Sequence, residues 1–266
     1  MKRWGPDDIP WQNFDPALLD GDILKLVKAA AMVERNAADY TQYLKAVFRA
    51  EPAFLAVADS WGAEEVQHGD ILGRYAEMAD SSFSFQTRFK RFTDGYRIPL
   101  DQSDSVRGSL TGELIARCIV ETGTSSLYSS LRDAVEEPVL KLICHRIAGD
   151  EFRHYKLFYS LMQKLSQREN LHLLRRVMVA ARRILEADDD ELSYAWYAAN
   201  ESAESPYDRQ RCAREYAQRA FRHYRDKHAE RAVNMIFKAV GLDPKGWLGA
   251  KAKAYTKRKM GALSAA

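Results

Sequence analysis

Apolar residues recur at three- and four-residue steps along most of the chain, which is the period of an amphipathic helix. The first stretch runs from about Leu18 to Ala50, with apolar positions at Leu26, Val27, Ala30, Val33, Ala37, Tyr40, Leu44 and Val47. Pro52 fits the first turn of a second helix, which continues through Ala79, because a proline there gives up no intrahelical hydrogen bond. The pattern predicts a first pair of long helices.

Residues 80–104 have no sustained period and carry the turn signals Asp94-Gly95 and Pro99. They are predicted to form a long crossover to a second pair of helices, which span about 105–134 and 138–167. Three more helices are predicted at about 169–187, 192–201 and 207–240. The basic tail after residue 244 is predicted to be a short helix or a frayed end.

This order of elements predicts an all-α protein. Its core would be a four-helix bundle with one long crossover, and additional C-terminal helices would extend the bundle. Glycine (14) and proline (8) are sparse, and no low-complexity linker divides the chain. We therefore expect a single domain over residues 1–266, with core helices at about 18–167 and a C-terminal helical extension at about 168–261.

Composition narrows the classes of function. A chain of 266 residues with 46% hydrophobic residues can bury a sizeable core, and a net charge of +3 argues against a nucleic-acid binder. We recognise neither a signal peptide nor an apolar run that would span a membrane. Three cysteines (Cys118, Cys144 and Cys212) cannot all pair, and none lies in a CxxC motif, so we expect a reducing, cytoplasmic location.

The two predicted helix pairs share a motif. Pro52 lies 13 residues before Glu65, and Pro138 lies 13 residues before Glu151. Each of these glutamates is followed three positions later by a histidine, His68 and His154. Residues i and i+3 share one face of a helix, so each pair can direct a carboxylate and an imidazole towards a common point. Each Glu-x-x-His pair is therefore half of a candidate metal site.

The preceding helix of each pair supplies one more glutamate. Glu34 lies 31 residues before Glu65, and Glu121 lies 30 residues before Glu151. With a turn between the helices, the chain rises and descends by roughly 23 Å, so all four glutamates reach one level of the bundle. Because their neighbours in sequence are apolar, an unpaired charge at Glu34 or Glu121 would be costly.

One glutamate on each of two helices, with Glu-x-x-His on the other two, is the ligand pattern of di-iron and di-manganese proteins with a ferritin-like bundle. Four carboxylates balance the charge of two divalent cations, and two neutral imidazoles complete the donor set. The motif alone is weak, since Glu169 and His172 also match it. That pair belongs to no matching hairpin and is interpreted as a chance match.

With a Glu-x-x-His motif in each predicted helix pair, the chain resembles the soluble acyl-acyl carrier protein desaturases of the stearoyl type. The stretch WGAEEVQHGDIL (61–72) is similar to that family's first Glu-x-x-His helix, and LKLICHRIAGDEFRHY (140–155) is similar to its second. The likeness covers about residues 20–165. We recognise nothing typical of that family in residues 80–104 or after residue 190.

The resemblance implies the roles of the site residues. Glu65 and Glu151 would bridge two iron ions, Glu34 and Glu121 would be terminal ligands, and His68 and His154 would each bind one iron. It also implies O2-dependent removal of two hydrogens from adjacent carbons of an acyl chain. The chain would be carried on acyl carrier protein, ferredoxin would be the electron donor, and the enzyme would be a homodimer. Acyl carrier protein is acidic, and arginines within 175–183 and the lysine-rich tail offer basic surface for it.

Three further residues are candidates around the ligands. Thr124 lies one turn after Glu121, so its hydroxyl can hydrogen-bond near bound oxygen or deliver a proton; it is our candidate catalytic residue. The alternative is a threonine that bonds back to a helix carbonyl. Trp61 and Asp150 are candidates for orienting the metal ligands, through an indole N–H on a carboxylate and a carboxylate on a histidine. Trp61 can equally be a core residue.

The ligand pattern leaves the reaction open. A di-iron or di-manganese centre of this kind also suits hydroxylation or N-oxygenation of another small molecule. A ferritin-like protein that handles iron without an organic substrate is a third hypothesis. The C-terminal helices beyond the bundle favour an enzyme that encloses its substrate.

Overall fold

The computed structural model describes residues 3–98, 100, 102–186, 190–202 and 204–265. The predicted turn residue Pro99 and the predicted helix end Ala187 lie outside them. The described chain is helical and holds no strand, which confirms the predicted all-α bundle. Its α-helices are α1 (Gly21–Arg35), α2 (Ala37–Val47), α3 (Pro52–Ala79), α4 (Phe85–Gly95), α5 (Leu110–Ala134), α6 (Pro138–Glu169), α7 (Leu173–Leu185), α8 (Asp190–Asn200), α9 (Arg209–Arg222), α10 (Asp226–Val240) and α11 (Trp247–Ala265).

The helices α1, α3, α5 and α6 form the centre of the bundle. Helix α1 packs against α3, α5 packs against α6, and α3 contacts α6. Pro52 and Pro138 occupy the first turns of α3 and α6, as their positions in the sequence predict. Glu137 caps α6 by accepting hydrogen bonds from two backbone amides of its first turn. The two predicted helix pairs are thus the two halves of the core.

The predicted first helix is divided in two. Helix α1 ends at Arg35 and α2 begins at Ala37, so the prediction of one helix over about 18–50 is wrong. The residue between them is Asn36, whose buried side-chain amide donates to Oε1 of Glu191 in α8 at 3.3 Å. The hydrophobic period continues across the break, so it gives no sign of this tertiary contact at Asn36.

The predicted crossover contains a helix. Residues 85–95 form α4, which begins where the Ser84 side chain accepts a hydrogen bond from the amide of Thr87. Phe85, Phe89 and Phe92 follow one another at three- and four-residue steps, and their rings contact one another in sequence. Three phenylalanines are too few to make a helical period stand out in the sequence. In the structure, α4 packs against α8.

The C-terminal extension also differs in detail. The predicted helix over 207–240 is two helices, α9 and α10, and the basic tail forms the helix α11. His228 fixes the start of α10, since its Nδ1 accepts from the Arg225 amide at 3.0 Å and its Nε2 lies 3.0 Å from Asp133. A side-chain contact with the end of α5 therefore decides where the new helix begins.

The extension covers the outer faces of the core helices. Helices α8 and α9 pack on α1, α7 and α10 pack on α5, and α11 packs on α9 and α10. Two apolar clusters fill the interior, one around Leu72, Tyr128 and Ile143 and the other around Leu114 and Phe158. The glutamates and histidines of the predicted site lie between these clusters along the core helices. No helix in the described part of the chain is long and apolar enough to span a membrane.

Candidate metal centre

Each of the four core helices places a glutamate in one buried layer. Glu34 comes from α1, Glu65 from α3, Glu121 from α5 and Glu151 from α6, and His68 and His154 join them from α3 and α6. Gly69 lets α1 and α3 approach each other at this level, because a Cβ there would lie 2.5 Å from the Arg35 backbone nitrogen. The structure thus brings all six predicted ligands together.

The six side chains form two overlapping groups. Glu34, Glu65, His68 and Glu151 offer ligand atoms within 4.8 Å of one another, and so do Glu65, Glu121, Glu151 and His154. Glu65 and Glu151 belong to both groups. The Nδ1 atom of His68 lies 3.2 Å from Glu151, and the Nδ1 atom of His154 lies 2.9 Å from Glu65. Two groups that share two carboxylates suit a pair of adjacent ions.

Several polar atoms of the cluster lack hydrogen bonds. The Nδ1 atoms of both histidines, Oε2 of Glu121 and Oε1 of Glu151 are buried and lie close to other atoms of the cluster, but none makes a well-aligned hydrogen bond with a described residue. Buried polar atoms in proteins almost always have a partner. Here the orphaned atoms surround a common focus and are of the types that bind iron or manganese. The residues therefore fit a two-metal cofactor.

The outer nitrogens of the two histidines contact acids in a crossed arrangement. Nε2 of His68, on α3, lies 3.2 Å from Asp150 on α6, and Nε2 of His154, on α6, lies 3.0 Å from Glu64 on α3. Arg153 donates from one nitrogen to both acids, at 2.5 Å to Asp150 and 3.1 Å to Glu64. The acids orient the rings so that both Nδ1 atoms face the cluster. Asp150 thus contacts His68 as predicted, whereas Glu64 was missed as its counterpart.

A tryptophan donates to Asp150, but it is not Trp61. The indole nitrogen of Trp4 lies 2.6 Å from Asp150, and its ring stacks on that of His68. Trp61 instead packs edge-on against Phe158, and its buried indole nitrogen has no hydrogen-bond partner among the described residues. The expected indole contact therefore comes from the N-terminal arm, which is the described segment 3–20 before α1. Trp61 makes the core packing that was its alternative.

Two hydroxyl groups contact the glutamates directly. Thr124 donates to Oε2 of Glu151 at 2.5 Å, and its hydroxyl also lies 3.3 Å from the carbonyl of Val120. Thr124 therefore makes both of the contacts that the sequence left open, one to the cluster and one back to its own helix. Tyr128 donates to Oε1 of Glu34 at 2.6 Å. Tyr128 lies seven residues after Glu121 on the same face of α5, which is the signal that sequence reasoning missed.

Burial and mutual repulsion dominate the electrostatics of the cluster. Burial, reinforced by the charge of Glu151, raises the pKa of Glu34 and of Glu121 well above the usual value for glutamate. Burial opposes ionisation of His154, yet the charge of Glu65 raises its pKa to about 10. Without cations, protons thus supply the positive charge that these carboxylates need.

Two other features of the sequence lie outside the cluster. The chance match Glu169 caps α5, because its carboxylate accepts from the amides of Leu110 and Thr111. The three cysteines are buried and free, and none belongs to either metal-binding group within the described residues. Burial raises the pKa of Cys118 well above the usual value for a thiol.

The comparison with known families agrees with the geometry. Residues 32–188, more than half of the 266-residue chain, match the fatty acid desaturase family. The matched segment contains all six side chains of the buried cluster. The chain belongs to the fatty acid desaturase family. No curated protein matches the chain.

Proposed function

We propose that the protein is an O2-dependent di-iron oxidase that introduces a double bond into an acyl chain carried on acyl carrier protein. Membership of the fatty acid desaturase family supports desaturation. The observation that carries the metal chemistry is the pair of overlapping Glu/His groups with orphaned atoms at one focus. The carrier is proposed from the motifs around Glu65 and Glu151.

Two iron ions are the proposed cofactor. Glu65 and Glu151 would be held in common by both ions, while Glu34 with His68 and Glu121 with His154 would each complete the ligands of one ion. When bound, the ions supply the redox chemistry that O2 activation requires. The reaction balances when –CH2–CH2–, O2, two electrons and two protons yield –CH=CH– and two waters. Manganese ions suit the same donors.

The residues of this chain contribute binding, orientation and proton transfer. Thr124 is proposed to hold or deliver a proton at its hydroxyl, since it already donates to the shared ligand Glu151. Tyr128 holds the orientation of Glu34, and Asp150 and Glu64 hold the histidine rings. The apolar clusters on both sides would shield an acyl chain bound at this layer from water.

The remaining parts of the proposal concern the cellular setting. We propose a ferredoxin-type protein as the electron donor, a homodimer as the functional unit and the cytoplasm as the location. The chain is proposed to be a single ferritin-like domain over residues 1–266, with α7 to α11 as its C-terminal extension. Nucleic acid has no part in the proposed reaction.

The test is aerobic incubation of the iron-loaded protein with a reductant and a series of acyl-acyl carrier protein thioesters, followed by mass spectrometry. Desaturation predicts products lighter by two hydrogens. A gain of oxygen would assign the site to a hydroxylase, or to an N-oxygenase when an amine substrate is turned over. Iron uptake without oxidation of any thioester would favour an iron-handling protein and contradict the desaturase.

A matched variant separates the metal site from the substrate. Glu65→Ala should bind neither iron in stable form and should form no product, since Glu65 belongs to both groups. Glu169→Ala is the control, because this glutamate matches the motif but caps a helix. Two irons per chain and full activity in Glu65→Ala would contradict the assignment.

A further inference from the structure

Helix α7 carries most of its large apolar side chains on the side that faces solvent. Leu174, Met178 and Leu185 repeat at helical spacing along one face, and Leu174 and Leu185 are 72% and 74% exposed. The residues that α7 buries against the core are small or short, Val179 and Ala180. Most surface helices show the reverse arrangement, with the apolar face inward.

This exposed ridge is unusual within the molecule. Five of the twelve large apolar side chains that are exposed in the described chain lie on this single helix: Leu173, Leu174, Met178, Ile184 and Leu185. A clustered apolar surface of this kind marks a binding face.

Positive charge borders the ridge on one side. Arg175 and Arg182 lie seven residues apart, both are exposed, and neither forms an ion pair with a residue in the described ranges. Both follow the ridge on the side of Met178, where Arg175 lies beside the Gly108 backbone, since a Cβ there would be 3.0 Å from its Nη2 atom. The occupant of the ridge therefore needs an apolar interior and a negatively charged boundary.

We propose that the exposed face of α7 binds the surface of an anionic lipid bilayer, with the leucines in the interface and the arginines at the headgroups. A helix that lies in the plane of the membrane has this distribution of leucine and arginine. Anionic headgroups complement Arg175 and Arg182. The inference goes beyond the proposed oxidase, because none of these residues belongs to the metal cluster.

Two other occupants fit the ridge less well. Protein interfaces usually contain aromatic anchors and a set of hydrogen bonds, whereas this ridge has only aliphatic side chains and methionine between its arginines. A second copy that paired its α7 antiparallel across a two-fold axis would bring the arginine borders of both copies side by side. Hydrocarbon requires neither hydrogen bonds nor a countercharge within the ridge.

The experiment is sedimentation of the full chain with vesicles of phosphatidylglycerol and phosphatidylcholine, compared with phosphatidylcholine alone. We expect binding to the anionic vesicles that weakens with added salt and with loss of the anionic lipid. Leu174→Gln combined with Leu185→Gln should weaken binding by about tenfold, because both leucines leave the interface. Arg175→Gln combined with Arg182→Gln should weaken it by on the order of tenfold and reduce its salt dependence.

The control is Leu248→Gln combined with Tyr255→Gln, which changes two exposed side chains of α11 and should leave binding intact. Circular dichroism and iron content, measured on every variant, report the fold. The proposal is overturned if neither vesicle type binds or if the α7 leucine variant binds as the wild type does. It is equally overturned if that variant instead abolishes self-association or binding to an acidic carrier protein while vesicles remain unbound. These readouts do not depend on oxidase activity.

Discussion

The Nε2 atom of His68 lies 3.2 Å from Oδ2 of Asp150, and this one carboxylate oxygen also accepts from the Trp4 indole at 2.6 Å. A residue of the N-terminal arm is thereby linked to a candidate metal ligand through a single acid. The same acid contacts Arg153, so its position is fixed from three sides. These contacts lower the pKa of Asp150 to about 2 in spite of burial, and the carboxylate stays ionised near the ring.

Trp4→Phe should weaken metal binding while the fold persists. The substitution removes the N–H that holds Asp150 but leaves an aromatic ring over His68. Loss of such an outer contact weakens metal affinity by about tenfold or more. Anaerobic titration with Fe2+ against a competing chelator measures the change.

Trp61→Phe is the matched control for Trp4→Phe. Both tryptophans are buried, but the indole nitrogen of Trp61 bonds to no residue in the described part of the chain. Its replacement should therefore leave the affinity for Fe2+ unchanged. Equal losses in the two variants would show that general packing, and not the contact with Asp150, governs the affinity.

The two overlapping groups predict that the number of irons bound per chain depends on which glutamate is replaced. Glu34→Ala and Glu121→Ala each remove a ligand from one group only, so each variant should keep one tightly bound iron per chain. Glu65→Ala should lose both. Elemental analysis after desalting gives the count, and the same count for all three variants would contradict two adjacent ions with shared carboxylates.

A neutral side chain at the centre should stabilise the metal-free protein. Burial and the charges of Glu151 and Glu65 raise the pKa of Glu121, which shows that its ionised form is unfavourable without cations. Glu121→Gln removes this repulsion, and we expect the free energy of unfolding of the metal-free protein to rise by about 1–2 kcal/mol. Urea unfolding measures it, and the gain should disappear when both proteins are saturated with Fe2+.

Sequence spacing was sufficient to predict that the six candidate ligands lie together. Two Glu-x-x-His pairs and two glutamates at 30 and 31 residues before them place six ligands at one level, because helix geometry converts sequence separation into height. The structure brings these six together within two overlapping groups. Periodicity likewise predicted the core helices α3, α5 and α6, and Pro52 and Pro138 mark the first turns of α3 and α6.

The contacts that sequence could not predict join residues distant in the chain. Trp4 reaches Asp150 across 146 positions, and no local pattern distinguishes it from Trp61. At the break between α1 and α2, Asn36 contacts Glu191 from α8, although the hydrophobic period continues through the break. Helical period describes which face of an element is buried, but it carries no information about which loop or arm covers that face.

Thr124 is predicted to affect oxidation more than metal binding. Thr124→Val keeps the shape of the side chain and removes the hydroxyl that donates to Glu151. Iron content should stay at two per chain, while kcat should fall by at least about tenfold with little change in KM. Thr124→Ser should restore most of the rate, because it returns the hydroxyl. Equal defects in both variants would assign Thr124 to packing alone.

The pair of Lys28 and Asp80 predicts a pH-dependent contribution to stability. Lys28 is nearly buried in α1, where its ammonium group lies 2.5 Å from Asp80 and over the ring of Phe83. Asp80→Asn leaves this charge without its partner, and we expect a loss of about 1–3 kcal/mol in the free energy of unfolding at pH 7. Chemical unfolding monitored by circular dichroism measures the loss.

The pH dependence separates this loss from a packing defect. Hydrogen bonds from Lys28 and Ser82 lower the pKa of Asp80 from 3.8 to about 2 in the folded protein. Because the pKa of Asp80 is lower in the folded than in the unfolded protein, ionised Asp80 stabilises the fold above pH 3.8. This stabilisation is lost as the pH falls towards 2 and the carboxylate of the folded protein takes up a proton. The difference between wild type and Asp80→Asn should shrink over this range. Asp94→Asn is the control, because its ion pair with Lys90 is exposed and should contribute less than about 0.5 kcal/mol at any pH.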